Sequence, residues 1–387
     1  MTTIAVARNL AGDGFGAFSL AITATLFLSN VHRATFTQPL NVLAATEARD
    51  LVAARLLALL KAHWLLLIPS AMVLAGVGAS FFPDPWIALP AFFYFAAFAL
   101  QETVRRYWYT VRELGKATVN DAVSYGGQLI CVLALAHLDF LSPSTALLAM
   151  GATSLVAFFL GIAQVRPASA ATTVSMRELA RQHWPLSKWL ILTVLALWGA
   201  GHAYPLLMVP LGAAAVAAYA ASRNLLSALS LVVQSISNYI PSTAAATLQT
   251  EGLPALRRKV AMTSLIGTVC CAAFVAFAFA FALPVLQLAY GGRYDHAASD
   301  FGILAVGTAC GLMGALFGAF ALALGDSRSS FLANLGATLV TFTAGPWLIS
   351  HHGVHGAAIA ATLSLATAML LQFLLLLYRL KTGPLKA

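Results

Sequence analysis

Charge is what this sequence has least of. Lys, Arg, Asp and Glu together make up 9% of its 387 residues, against about 25% in an ordinary soluble domain. That is too little to cover a water-soluble surface, and 60% of the chain is hydrophobic. Cysteine is scarce as well. Cys131, Cys270, Cys271 and Cys310 lie inside apolar runs without CxxC spacing, so they read as small buried residues, not as metal or redox ligands. The chain has no GxxxxGK[ST], which excludes ATP hydrolysis by a P-loop, and no HExxH. No long loop carries the paired acids that a membrane glycosyltransferase needs. The opening residues MTTIAVARNLAGDG lack the apolar core and cleavage site of a signal peptide. These gaps leave no catalytic residue and no cofactor to assign, and the expectation is that the protein is not an enzyme.

What the sequence does have is long apolar runs. A membrane-spanning helix needs about 20 predominantly apolar residues. Such runs fall near 14–37, 54–80, 86–104, 117–137, 143–165, 187–209, 212–238, 260–288, 300–324, 329–350 and 354–378. The reading is an all-α, polytopic membrane helix bundle of about eleven spans. Lys and Arg set its orientation. Of the 22, eighteen lie in or beside the loops that follow odd-numbered spans, Arg8 and Arg293 lie on the opposite side, and Arg33 and Arg223 fall within spans. That asymmetry places the C-terminus in the cytoplasm and the N-terminus outside. The net charge of +9 is thereby a membrane signature, and no nucleic acid is expected as a partner.

The longest connection, 166–186, carries a capping-box spacing at Ser175 and Glu178. After it, Met176, Leu179 and Ala180 share a face and Arg177 and Arg181 lie off it. This predicts a short amphipathic helix lying on the cytoplasmic surface. It divides the chain into an N-terminal lobe of five spans (1–165), a linker (166–186) and a C-terminal lobe of six spans (187–387). A loose internal repeat agrees with the division. Pro39 lies 21 residues after Phe18 in GFGAFSLA, and Pro241 lies 22 residues after Tyr219 in AVAAYAAS. Such repeats are common in transporters.

Polar residues within the spans are the candidates for function. Arg223, Ser227, Ser230, Gln234 and Ser237 follow one another at steps of 4, 3, 4 and 3, one narrow stripe on a helix. An arginine at mid-span costs about 2.5–3.5 kcal/mol on insertion scales, so the stripe faces protein or water. It is either the wall of a hydrated cavity or a helix–helix interface held by Ser and Gln. Asn30, Arg33 and Thr37 form a smaller version, in which Arg33 lines the same cavity or snorkels to the interface. Two arginines would make the cavity cationic and suited to a phosphate or diphosphate. Asp121, Ser124 and Gln128 share a face. Asp121 and Gln128 are candidates for gating or ion coupling, with pairing of Asp121 to Lys116 or Arg112 the favoured reading of that acid. Glu102 has Arg105 and Arg106 at i+3 and i+4 and reads as a structural ion pair. His351, His352 and His355 lack a fourth ligand, so no metal site is assigned. Gly307, Gly311, Gly314 and Gly318 share a face that allows close helix packing.

Several stretches, taken in order, resemble the polysaccharide or O-antigen flippases of the multidrug/oligosaccharidyl-lipid/polysaccharide exporter superfamily. They are ARNLAGDGFGAFSLA, QETVRRYWYTVRELGKATVNDAVSYGGQL, AAYAASRNLLSALSLVVQSISNYIP, LAYGGRYDHAASDFGILAV and HHGVHGAAIAATLS. The resemblance implies two six-helix lobes around a central cavity. It also implies alternating-access movement of an undecaprenyl-diphosphate-linked oligosaccharide, an O-antigen or exopolysaccharide repeat unit, from the cytoplasmic to the periplasmic leaflet of a bacterial inner membrane. Membrane lipids, a polysaccharide polymerase and glycosyltransferases would be its partners. Arg223, Arg33, Gln234, Ser227, Ser230 and Asn30 would meet the diphosphate. In the family a first helix precedes the segment that here contains Arg8, so one helix of the twelve is expected to be missing. The alternatives are a multidrug-type antiporter, which would use an acidic or apolar cavity, and a membrane enzyme of polysaccharide assembly using Arg293, Asp295 and His296.

Overall fold

The computed structural model describes residues 2–10, 12–44, 47–82, 84–165, 174–324, 326 and 328–382. Side chains 42, 43, 189, 230, 231, 234, 235, 237–239, 241, 242, 245, 246 and 249 lie outside the description. Among the described residues there is no strand. In a bilayer this follows from backbone hydrogen bonding, because a helix satisfies its own polar groups where no water is available. The chain divides into two compact units, 1–195 and 196–387.

The first unit contains a short helix α1 (Thr2–Asn9) and five long ones: α2 (Gly12–Asn41), α3 (Arg49–Phe81), α4 (Ala88–Thr110), α5 (Leu114–His137) and α6 (Pro143–Ala163). Local chemistry sets their starts. Asp84 accepts a hydrogen bond from the Trp86 backbone N–H at 3.0 Å ahead of α4. Ser142 and Thr145 form a reciprocal capping box at α6, with Pro143 as its first residue. Phe36, Leu40, Leu56, Leu59, Tyr107, Trp108 and Leu179 form one buried cluster of the unit. Gly151 and Gly161 let α6 approach α4: a Cβ on Gly161 would stand 2.7 Å from Val104 Cγ1.

The next helix, α7 (Met176–Gly201), corrects the sequence reading in one respect. Glu178 N–H does donate to Ser175 Oγ at 3.2 Å, as the capping spacing implies. The helix then runs on without a break to Gly201, so among the described residues the amphipathic stretch and the apolar stretch are one helix. Leu179 is buried in the protein cluster, and Arg55 ties the same stretch down. Its guanidinium pairs with both carboxylate oxygens of Glu47 (2.6 and 2.7 Å) and donates to Gln182 Oε1 (2.7 Å). Residues 166–173 of the expected linker lie outside the described residues.

The second unit holds a single turn at Tyr204–Leu207, then α8 (Ala213–Leu226), α9 (Ser230–Ala280, broken at Gly252), α10 (Ala282–Tyr290), α11 (Ala298–Ala323) and α12 (Arg328–Thr382, broken at Gly353). Gly252 and Gly353 have φ of +80° and +59°, which an L side chain rarely adopts. All eleven expected segments are helical, and eight helices among the described residues are long and apolar enough to span a membrane. The difference arises in two ways. α12 counts once although Gly353 divides it. The segments 187–209 and 212–238 contribute only a short apolar stretch at Leu190–Gly201 and the 14-residue helix α8, which ends at the turn Ser227–Leu229. The glycine face of α11 packs as its spacing implies. A Cβ on Gly307 would lie 2.9 Å from Thr362 Oγ1, and one on Gly318 would lie 2.9 Å from Gln372 Oε1, both on α12. The cysteines depart from the reading: Cys270 is exposed and the other three are only half-buried. On a membrane helix the outward face meets hydrocarbon, so an apolar side chain gains nothing by turning inward.

Asp326 closes the loop between α11 and α12. Its Oδ1 accepts from the Arg328 and Ser329 backbone N–H groups at 3.1 Å, and its Oδ2 accepts from Ser329 Oγ and Arg379 Nε at 2.6 Å. Burial opposes its ionisation, but the hydrogen bonds from Ser329 and Arg379 prevail and hold the carboxyl below its ordinary value. The linked stability is therefore full above the ordinary carboxylate range and is lost as pH falls below it. Asp326→Ala removes a helix cap and an ion-pair partner. It is expected to cost about 1–3 kcal/mol, read as a lower thermal midpoint in detergent, with Asp326→Asn intermediate because it retains an acceptor for the cap.

Candidate functional site

In the first unit an ionic cluster forms where α2, α4 and α5 meet. Glu102 is almost wholly buried. It binds the Arg105 guanidinium one turn on, accepts from Arg106 Nε at 2.8 Å, and lies 3.4 Å from Arg33 Nε. The i+3 and i+4 pairs are those the sequence implies; the contact to Arg33 is tertiary. Asp121 lies 3.1 Å from Arg105 Nη1, not beside Lys116 or Arg112. Lys116 has another partner, since its Nζ stands 4.5 Å from the centre of the Trp108 ring. Tyr125 Oη accepts from Arg105 Nη1 at 3.3 Å. Three guanidiniums against two carboxylates leave the cluster one positive charge in excess. Arg33 is the member that reaches outward, with a third of its side chain exposed.

The other candidates of this unit are occupied by local bonds. Asn30 donates its amide to Leu26 O at 2.9 Å along its own helix. Gln128 is buried and donates to Ser124 Oγ and Ser154 Oγ at 3.3 and 3.4 Å, which makes it part of the α5–α6 contact. Sequence spacing missed Asn120, which is buried, accepts from Gln101 at 2.7 Å and donates to Ala157 O at 2.6 Å. It also missed the paired rings of His32 and His63, both buried, 4.8 Å apart. Thr103 Oγ1 lies 3.5 Å from His32 Nε2.

In the second unit Arg223 is the eleventh residue of α8, roughly 15 Å along its axis at 1.5 Å per residue. Its Nη1 donates to Tyr219 Oη at 3.2 Å, and its Nη2 lies 2.7 Å from His202 Nδ1. Among the described residues no carboxylate pairs with it, so its charge is uncompensated. Nearby, Tyr204 Oη bonds Ser364 Oγ at 2.7 Å and Thr341 Oγ1 at 3.3 Å. Ser227 is exposed and donates to Asn224 O at 2.6 Å. Ser230 and Gln234 lie on α9, and their side chains are outside the described residues.

Each polar series coincides with an irregular turn. Arg33–Thr37 and Ala122–Gly126 are π-turns, and Ser227–Leu229 is a 3₁₀ turn. A 3₁₀ turn advances about 120° per residue where an α-helix advances about 100°. The stripe beginning at Arg223 is therefore rotated by roughly 60° after residue 229 and is not one straight line. The Ser227 hydroxyl, bonded back to Asn224 O, competes with the regular ladder there. On the outer histidines, His355 Nδ1 lies 2.8 Å from Asp300 Oδ1, and His351 Nδ1 lies 2.8 Å from Trp347 O. Among the described residues no group of three or more His, Cys, Asp or Glu is placed to hold a metal ion.

No protein-family model matches the chain, and no curated protein matches it in sequence. Solved structures do. A MOP superfamily transporter from Pyrococcus furiosus Vc1 (DSM3638), described by the reverse polarity of its binding pocket, aligns at a TM-score of 0.66 with 14% identity. The alignment covers 98% of this chain and 91% of that one. An outward-facing multidrug resistance MATE family transporter of the MOP superfamily aligns at 0.65 with 14% identity over 98% and 91%. A Vibrio cholerae MATE transporter, VcmN, aligns at 0.63 with 15% identity over 99% and 92%. The chain is a polytopic membrane helix bundle whose fold is that of the MATE transporters of the MOP superfamily.

Proposed function

We propose that this chain is a membrane transporter that flips an undecaprenyl-diphosphate-linked oligosaccharide from the cytoplasmic to the periplasmic leaflet of a bacterial inner membrane, with its C-terminus in the cytoplasm. The observation that carries the reading is Arg223. A guanidinium on α8, held by a tyrosine hydroxyl and an imidazole nitrogen and, among the described residues, by no carboxylate, is suited to an anion. The excess positive charge around Arg33 supports the same substrate class. A phosphate-linked lipid supplies the anion. The glycosyltransferases that build it and the polymerase that consumes it would be its functional partners.

A multidrug-type antiporter is the competing reading, and it draws on the MATE transporter named for multidrug resistance among the structural relatives. Cationic drugs call for acidic or apolar surroundings, the opposite of what surrounds Arg223. In the relative from Pyrococcus furiosus, reversed pocket polarity is itself linked to a different function. The test expresses the chain in a strain that lacks its own glycan flippase. It measures surface glycan together with accumulation of a cationic dye. Restored glycan with unchanged dye is the expected result. Dye efflux without restored glycan would transfer the assignment to drug export.

A further inference from the structure

His202 stands immediately after the last residue of α7, is exposed, and meets Arg223 at 2.7 Å through Nδ1. Guanidinium has donors and no acceptor, so in this contact Nδ1 must accept. The imidazole is then neutral, with its proton on Nε2. A proton added at Nδ1 removes the acceptor and sets two cations side by side. Arg223 would keep only its bond to Tyr219.

Among the described residues, the surrounding groups offer that second charge no counter-ion. Tyr219 is fully buried on α8. Tyr204 is engaged with Ser364 and Thr341 on α12. On the segments that follow α10, Asp295 accepts from Gln287 at 2.9 Å, and Asp300 is paired with His355. An anion bridging His202 and Arg223 would supply what is missing. The converse also holds. With His202 neutral, one of the five guanidinium N–H donors is held by Nδ1 and the imidazole offers the anion no second charge. Proton and anion thus favour each other, and by linkage each raises the affinity of the other by the same factor.

We propose that His202 and Arg223 form a proton-linked anion site that takes a phosphate or diphosphate group together with one proton. The proposal rests on the reading of Arg223 as an anion ligand. It adds that binding of the anion draws a proton onto His202. Anion affinity should rise toward acid pH, by up to tenfold per pH unit across the imidazole titration.

The test is calorimetric titration of the purified full chain in detergent with inorganic diphosphate, in two buffers of different ionisation enthalpy, which counts protons. Wild-type protein is expected to take up about one proton per anion bound. His202→Asn retains an acceptor for Arg223, and it is expected to bind more weakly and without that uptake. Farnesyl diphosphate, run in parallel, separates the sources of the anion: tighter binding than inorganic diphosphate with the same proton count points to a lipid-linked ligand, and equal binding to a free one. Uptake by His202→Asn equal to wild type would overturn the proposal. So would anion binding by wild type without uptake, which leaves the anion site at Arg223 standing. Unchanged binding by Arg223→Gln would remove the anion site itself. Size-exclusion profiles of both variants establish that they are folded.

Discussion

Replacing Glu102 with alanine is expected to cost the first unit about 3–5 kcal/mol, the range for breaking a buried ion pair by removing one partner. The side chain is 2% exposed and is shared by Arg105, Arg106 and Arg33. Without it Arg105, itself 10% exposed, keeps only Asp121 and Tyr125, and the other two guanidiniums lose their common counter-ion. The cost is the desolvation of charge left unpaired, not the lost attraction. The double variant Glu102→Leu/Arg105→Leu is therefore expected to be more stable than the single one, since it removes the stranded charge as well. Thermal unfolding in detergent, with protein recovered in the membrane fraction as a second readout, checks both. A Glu102→Ala midpoint equal to wild type would show that the cluster does not hold these helices.

Much of this unit can be read from spacing, and the rest cannot, for one physical reason. Residues three and four apart on a helix are neighbours whatever the fold, so Glu102 with Arg105 and Arg106 is visible in the sequence. Arg33 meets Glu102 across 69 positions, and nothing local encodes that. Asp121 shows how proximity in sequence misleads. Arg112 sits in a left-handed turn (φ +61°), Lys116 rests over Trp108, and the partner is Arg105, sixteen residues back. The glycine face of α11 was legible because its period matches the helix, whereas the turns that shift the polar stripes were not. A 3₁₀ or π step changes the period itself, so a series that looks straight at 3.6 residues per turn bends where the turn occurs. His202 gave no signal. It is one histidine at the end of a span, and it gains meaning only because the fold places α8 beside it. The same holds for the boundary of α7: the capping spacing at Ser175 marks its start, but the amphipathic stretch and the apolar stretch are one helix.

Arg223→Ala is expected to abolish glycan export while leaving the protein in the membrane. A charge-assisted hydrogen bond contributes about 1.5–3 kcal/mol. A guanidinium that grips a phosphate with two of them therefore accounts for a hundredfold or more in affinity. Stability is expected to change little by comparison, because the alanine variant strands no buried charge: among the described residues Arg223 has no carboxylate partner, and Tyr219 and His202 are neutral in the contacts it makes. That separates it from Glu102, where a lost partner unbalances a cluster. Arg223→Lys keeps the charge without the planar fork, and it is expected to retain a fraction of activity between wild type and alanine. The measurement is surface glycan in the complemented flippase-deficient strain, normalised to the amount of protein in the membrane. Full export by the alanine variant would mean that Arg223 serves helix packing and that the anion is bound elsewhere. Full export by lysine with none by alanine would show that charge alone is what the substrate requires at this position.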